Sequence, residues 1–229
     1  MQRFLAILLA CALTAACTTT SAKLAFETST KPAPGARVLL LQPEVSLAVL
    51  TAAGVQEPRA DWSMAARDNL SREIEAQLKA RSHNYKMLDP NDAMAGRSGQ
   101  LLRLNSAVGQ SILAFSYGAY PLPTKKDGFD WTLGEGVSAL AESQGADYAL
   151  FVNSQGTYAS GGRVATMIGL AMLGVSVPLG QQQVFASLVE LKTGRVVWFN
   201  VAVAGPNADM RETEGCASLV KSLLKTLPL

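Results

Sequence analysis

The stretch Gln183 to Val203, QVFASLVELKTGRVVWFNVAV, constrains the fold more than any other part of the chain. Two runs rich in β-branched and aromatic residues flank Lys192-Thr193-Gly194. A three-residue connection with glycine at its left-handed position is a β-hairpin signal. This hairpin is the clearest local structure in the chain.

Other segments alternate between strand and helix patterns. Arg37 to Val45, RVLLLQPEV, is a nearly continuous apolar run suited to a buried strand, and Ser46 to Ala52 can form a second strand before Gly54. A helix follows to about Arg81, with Asp61 or Ser63 as its cap. Its stripe is Ala66, Leu70, Ile74 and Leu78, with Asp68–Arg72 and Glu75–Lys79 pairs outside. Tyr85 to Leu88 reads as a short strand and Gly96 to Gly99 as a loop. Gln100 to Phe115 then carries Leu101, Leu104, Val108, Ile112 and Phe115 at helical spacing. Thr132 and Glu135 have capping-box spacing ahead of a helix that stops at Gly145, and Asp147 to Asn153 is a buried strand. Cys216, Leu219, Val220, Leu223, Leu224 and Leu227 share one face of a final helix. The expected fold is α/β: a mixed β-sheet covered by helices, one domain over residues 37–229 with a C-terminal hairpin and helix.

The pair GADYALFVNSQG (145–156) and FASLVELKTGRVVWFNV (185–201) resembles the periplasmic domains of curli-secretion lipoproteins and of lipoproteins that activate penicillin-binding proteins. Glu190, Thr193, Gly194 and Trp198 fall in register with the acidic, Thr, Gly and Trp positions of that family's hairpin, over roughly residues 137 to 203. The resemblance implies a non-enzymatic envelope protein that binds or assembles other components. Curli-type pores need two membrane-crossing hairpins per subunit, and this chain offers at most one candidate.

The N-terminus reads as an address. Arg3 precedes an apolar stretch, Phe4 to Leu13, and small residues lead into Cys17. LTAAC resembles the bacterial lipobox, which implies a signal peptide over 1–16 and diacylation of Cys17. Thr14 stands where the lipobox prefers Leu, and LLAC, ending at Cys11, is the competing match after a shorter apolar stretch. Met1 to Ala16 falls short of the ~20 apolar residues a membrane helix needs. Thr18, rather than Asp, follows Cys17, so the resemblance implies the periplasmic face of the outer membrane. Residues 17–36 read as a lipidated N-terminus and tether reaching at most ~60 Å.

Between Arg163 and Glu190 no charged residue occurs. Val164 to Val177 would make a helix of about 21 Å before Pro178, short of the ~30 Å of hydrocarbon. Neither register alternates as a membrane strand should. Two readings remain. The segment is a buried helix or strand pair under the sheet, or it presents Met167, Ile168, Leu170, Met172, Leu173 and Val175 to a partner or to lipid, with Gly-rich and Gln-rich hinges on either side.

Motifs for chemistry are sparse. The formal balance of +2, without dense basic patches, argues against a nucleic-acid partner. Of the three cysteines, at 11, 17 and 216, the last sits in an apolar stripe and reads as a core residue. His83 is the lone histidine, in a polar linker, so neither a catalytic triad nor a metal site is expected. Ser160 to Arg163, SGGR, lacks the Gly-Lys-Ser/Thr of a phosphate-binding loop. Asp127 and Asp130 read as turn aspartates; a hydrolase built on the Tyr117 to Asp130 loop has no motif behind it. No cofactor is expected.

Overall fold

The structure, a computed structural model, describes residues 19–24, 32–33, 35–81, 84–88, 96–118, 122–125, 128–175, 178–204 and 208–229. The expected signal peptide, Cys11, Cys17, His83 and Asp127 lie outside these residues.

The strands are β1 (Thr19–Leu24), β2 (Arg37–Leu40), β3 (Glu44–Leu50), β4 (Gln56–Pro58), β5 (Asn84–Met87), β6 (Tyr148–Ala159), β7 (Gln182–Glu190) and β8 (Val196–Ala204). The helices are α1 (Ala60–Ala80), α2 (Gly96–Ser116), α3 (Ser138–Gln144), α4 (Gly161–Ala171) and α5 (Thr213–Leu223). All eight strands join one mixed sheet whose main order is β1-β8-β7-β6-β2-β5. The α/β expectation holds, with helices on both faces of a single domain.

β6 organises the sheet. One side carries β7, antiparallel from Tyr148↔Glu190 to Gly156↔Gln182. The other side carries β2 and then β3, both parallel, with Leu40 opposite Leu150 and Glu44 opposite Asn153. Four steps of one chain thus face three of the other. This one-residue bulge falls at Gln42-Pro43, where proline has no N–H to give the ladder. Arg37 to Val45 is therefore two strands rather than one. The bulge switches parity, so Val38 and Leu40 share a face with Val45 and Leu47.

That face packs on α1 and α5. Leu70, Ile74 and Leu78 of α1 are fully buried, as are Leu219, Val220 and Leu223 of α5, each contributing ~2 kcal/mol of apolar burial. The opposite face, with Leu39, Phe151, Phe185 and Phe199, is covered by α2, α3 and residues 129–133. α2 turns inward only part of the expected stripe: Leu101, Ile112 and the partly buried Val108 face the core. Leu101, Leu102, Asn105, Gly109 and Ile112 are buried, whereas Leu104 and Phe115 are exposed. The helix also begins at Gly96, within the expected loop.

Local details refine other expectations. α1 has no side-chain cap; the Ser63 hydroxyl instead donates to Arg59 O and accepts from Leu47 N, tying the helix start to β3. Lys79 reaches Glu75 at 4.0 Å, but Arg72 bonds Asn69 rather than Asp68. Thr132 does not cap α3; its hydroxyl accepts from Gly134 N and donates to Gly194 O beneath the hairpin turn. Gly145 ends α3 in the left-handed conformation, as its position predicts. Thr193-Gly194 forms the β7–β8 turn, with Gly194 at φ 76° packed on the backbone of Gly134.

Six residues of the stretch read as a tether are part of the sheet. Thr19–Leu24 pairs antiparallel with β8, Thr19 opposite Val203 and Leu24 opposite Trp198. Its pairing is a matter of backbone hydrogen bonds, and Thr19 to Ala22 are exposed, so hydrophobic periodicity gave no sign of it. The Tyr117 hydroxyl donates to Ser21 O at 2.9 Å, bracing the edge strand from α2.

Candidate functional site

After Ala159 the chain leaves the sheet, forms α4 and a turn, and returns at Gln182. The ladder is kept to its edge: Thr157 N donates to Gln181 O and Ala159 N to Leu179 O. Ser160 caps α4 by accepting from Arg163 N at 3.2 Å. Arg163 ties the root of the helix to its surroundings, with Nε donating to Pro178 O at 3.0 Å and a terminal nitrogen to Thr51 O at 3.4 Å. The Thr51–Val55 turn packs beside it, with Ala52 Cβ 3.7 Å from where a Cβ on Gly162 would lie. The root is thus fixed to both legs of the excursion and to the β3–β4 turn.

No residue of α4 is buried. Among the described residues, ten large hydrophobic side chains are exposed, and six of them lie between 164 and 179. Met172 is 83% exposed, Leu173 77%, Ile168 58% and Val175 47%; Met167 and Leu170 are half-buried. Of the two readings of the charge-free run, burial under the sheet is therefore overturned. A helix apolar on all sides is normally a core helix, so the sequence favours burial, and only the tertiary placement beyond the strand ends reveals otherwise.

Beneath α4, on the α1/α5 face, a cavity of about 210 Å³ is lined by Tyr158, Val164, Leu179, Gln182, Asp209 and Arg211. The Arg211 guanidinium lies 3.7 Å from the Tyr158 ring centroid and 4.3 Å from that of Trp62, with Arg59 also 4.3 Å from the Trp62 ring. Trp62 and Tyr158 meet edge to face at 5.7 Å. Arg211 also pairs with Asp209 at 2.6 Å. Burial works to raise the Asp209 carboxyl, yet the hydrogen bonds from the Arg211 side chain and backbone hold it below its ordinary value. Burial, with the Asp209 charge beside it, pushes the Tyr158 phenol far up, and its hydroxyl donates to Gln182 Oε1 at 2.6 Å. Every group in this stack is engaged with its neighbours, which suits a rigid platform for α4 better than a reactive centre.

The remaining polar features are dispersed. A cleft of about 200 Å³ on the α2 side holds Glu44, whose carboxyl is raised by burial against the milder opposing effect of Arg103 and Arg67. Asp130 is exposed and paired with Lys125 at 2.8 Å. Cys216 is fully buried, with its thiol pushed up to about 12 by desolvation. Among the described residues no three His, Cys, Asp or Glu side chains converge as metal ligands, and no helix is long and apolar enough to cross a membrane.

Comparison of the sequence with protein-family models and with curated proteins returns no match. Among solved structures, the chain is similar to the PelC dodecamer from Paraburkholderia phytofirmans, with a TM-score of 0.43 and 13% identity over 91% of this chain and 95% of that one. A variant of the same protein in space group C2 gives 0.41 and 14%, over 91% and 96%. The LpoB C-terminal domain from Salmonella enterica gives 0.27 and 14%, over 73% and 82%. At these identities and scores no residue of one protein is carried onto another.

Proposed function

We propose that the chain is a lipid-anchored protein of the bacterial outer membrane, facing the periplasm, that binds or assembles envelope components without catalysing a reaction. Acylation at Cys17 attaches it, and the α4 excursion is its interaction surface. The observation that carries this reading is the concentration of exposed apolar side chains on one charge-free excursion, which holds six of the ten large hydrophobic residues exposed among the described residues. An exposed apolar patch on a folded domain marks an interaction site. Self-association is one form the interaction can take.

The experiment removes the surface and keeps the sheet. Because β6 and β7 stay paired out to Ala159 and Leu179, residues 161–177 are replaced by a two-residue turn in the full chain. Thermal melting is compared with wild type, crosslinking in cells reads out what is captured, and mass spectrometry of the N-terminal peptide reads acylation at Cys17. An unchanged melting temperature with lost capture supports the reading. A variant that melts early, or that captures as before, contradicts the role of α4. An unmodified Cys17 contradicts the anchor.

A further inference from the structure

α4 leaves the sheet at the same end where the chain enters it. Along this end, Leu50 of β3 stands beside Ala159, Gln182 beside Ala204, and Thr19 beside Val203. Cys17 is two residues before Thr19, and two residues span at most ~7 Å. An acyl group on Cys17 therefore meets the protein at the α4 end of the sheet. β1 and β6 are separated by β8 and β7, which places the two features about 14 Å apart at the spacing of paired strands.

We infer that the occupant of the exposed α4 face is the lipid bilayer itself, with α4 lying in the headgroup–acyl boundary as a second attachment beside acylated Cys17. This rests on the lipid-anchored reading above. Eleven helical residues measure about 16 Å, too short to cross ~30 Å of hydrocarbon but suited to lying along its boundary. The segment carries no charge from Val164 to Val189, so its contact with acyl chains requires no desolvation of a charged side chain. Met172 and Leu173, its most exposed side chains, sit at the far end from the root. At the root stands Arg163, which among the described residues has no acidic partner and matches the phosphates of a headgroup layer. Val55, 56% exposed on the neighbouring turn, extends the apolar rim. The main competing occupant is a second copy, since Ala165 and Gly169 form a small-residue pair four apart that would let helices approach closely.

The test uses the full acylated chain reconstituted into vesicles of phosphatidylethanolamine and phosphatidylglycerol. An environment-sensitive fluorophore is attached to Ile168→Cys, Met172→Cys or, at the opposite end of the sheet, Lys192→Cys; native Cys216 is buried and each variant's melting temperature is checked against wild type. The expected result is a blue shift at positions 168 and 172, quenching by nitroxide-labelled lipid and loss of most iodide access, with the label at 192 unaffected. If the chain sediments with vesicles but the labels at 168 and 172 stay as open to iodide as that at 192, the bilayer inference is overturned and the anchored reading stands. Shielding from iodide without nitroxide quenching, accompanied by energy transfer between copies, assigns the face to a second copy and also overturns it. A chain that carries no acyl group and stays off the vesicles sinks the anchored reading and this inference together.

Discussion

Gly109, midway along α2, lies against the ring edge of Phe185 in β7, so near that an added methyl would overlap Cε2 and meet Cζ at 2.7 Å. Phe185 stacks on Phe199 with ring centroids 5.3 Å apart and has little room to move aside. In an unhindered helix, alanine in place of glycine gains up to ~1 kcal/mol. Here overpacking costs ~1–3 kcal/mol. Gly109→Ala is expected to destabilise by about 1 kcal/mol net, seen as a lower urea midpoint with an unchanged slope. A stabilised variant would contradict the close approach of helix and sheet.

Charges on the outer face of α4 should leave the fold intact. Ile168→Asp with Met172→Asp places two carboxylates where the wild-type side chains are 58% and 83% exposed. Exposed substitutions of this kind change stability by within about 0.5 kcal/mol, so the melting temperature is expected to match wild type. Unfolding of this variant would mean that α4 packs against the domain after all.

Arg211 is held between Trp62 and Tyr158 while its guanidinium clasps Asp209. Lysine keeps the charge but loses both the stacking and the paired hydrogen bonds. Arg211→Lys is expected to cost about 1–2 kcal/mol at pH 7. The Asp209 carboxyl sits below its ordinary 3.8 in the folded protein. Its contribution is therefore complete above about pH 4 and is lost as the pH falls through the lowered folded value. Melting curves at pH 7 and pH 3 should show the gap between wild type and Arg211→Lys narrowing at the lower pH. A gap that widens on acidification would show that the pair is not stabilising.

Cys216 offers a probe of opening. Its thiol is fully buried and pushed up to about 12, so at pH 8 almost none is thiolate, the reactive form. Iodoacetamide should leave Cys216 unmodified in the native protein for as long as the α1–α5 layer stays closed and label it promptly in urea. Rapid native labelling would show that α5 detaches on its own.

The strongest local patterns proved reliable guides to the fold. The β7–β8 hairpin turns at Thr193-Gly194, and the α1 stripe Ala66, Leu70, Ile74 and Leu78 is fully buried, because periodic apolar residues have one face to hide. α2 was harder to read. Asn105 and Gly109 occupy inward positions that hydropathy assigns outward; Asn105 accepts from Ser187 within the core, and Gly109 makes room for Phe185. Leu104 and Phe115 fill the apolar pattern yet face solvent. β1 is largely polar, and β4 is the tripeptide Gln56–Pro58; strands of this kind are specified by the edge they join rather than by their own side chains. The apolar residues of the candidate surface could be listed from the sequence, but their exposure could not, since hydrophobicity is the same quantity in a core and at an interface.

The pairing of Thr19 with Val203 joins residues near opposite ends of the 229-residue sequence. Closing so long a loop is a late event in folding, after local hairpins and neighbouring helices have formed. In a chain delivered N-terminus first, β1 has no edge to join until β8 has emerged and paired with β7. Until then the N-terminal segment is unpaired, and the sheet gains this edge strand only when synthesis is almost complete.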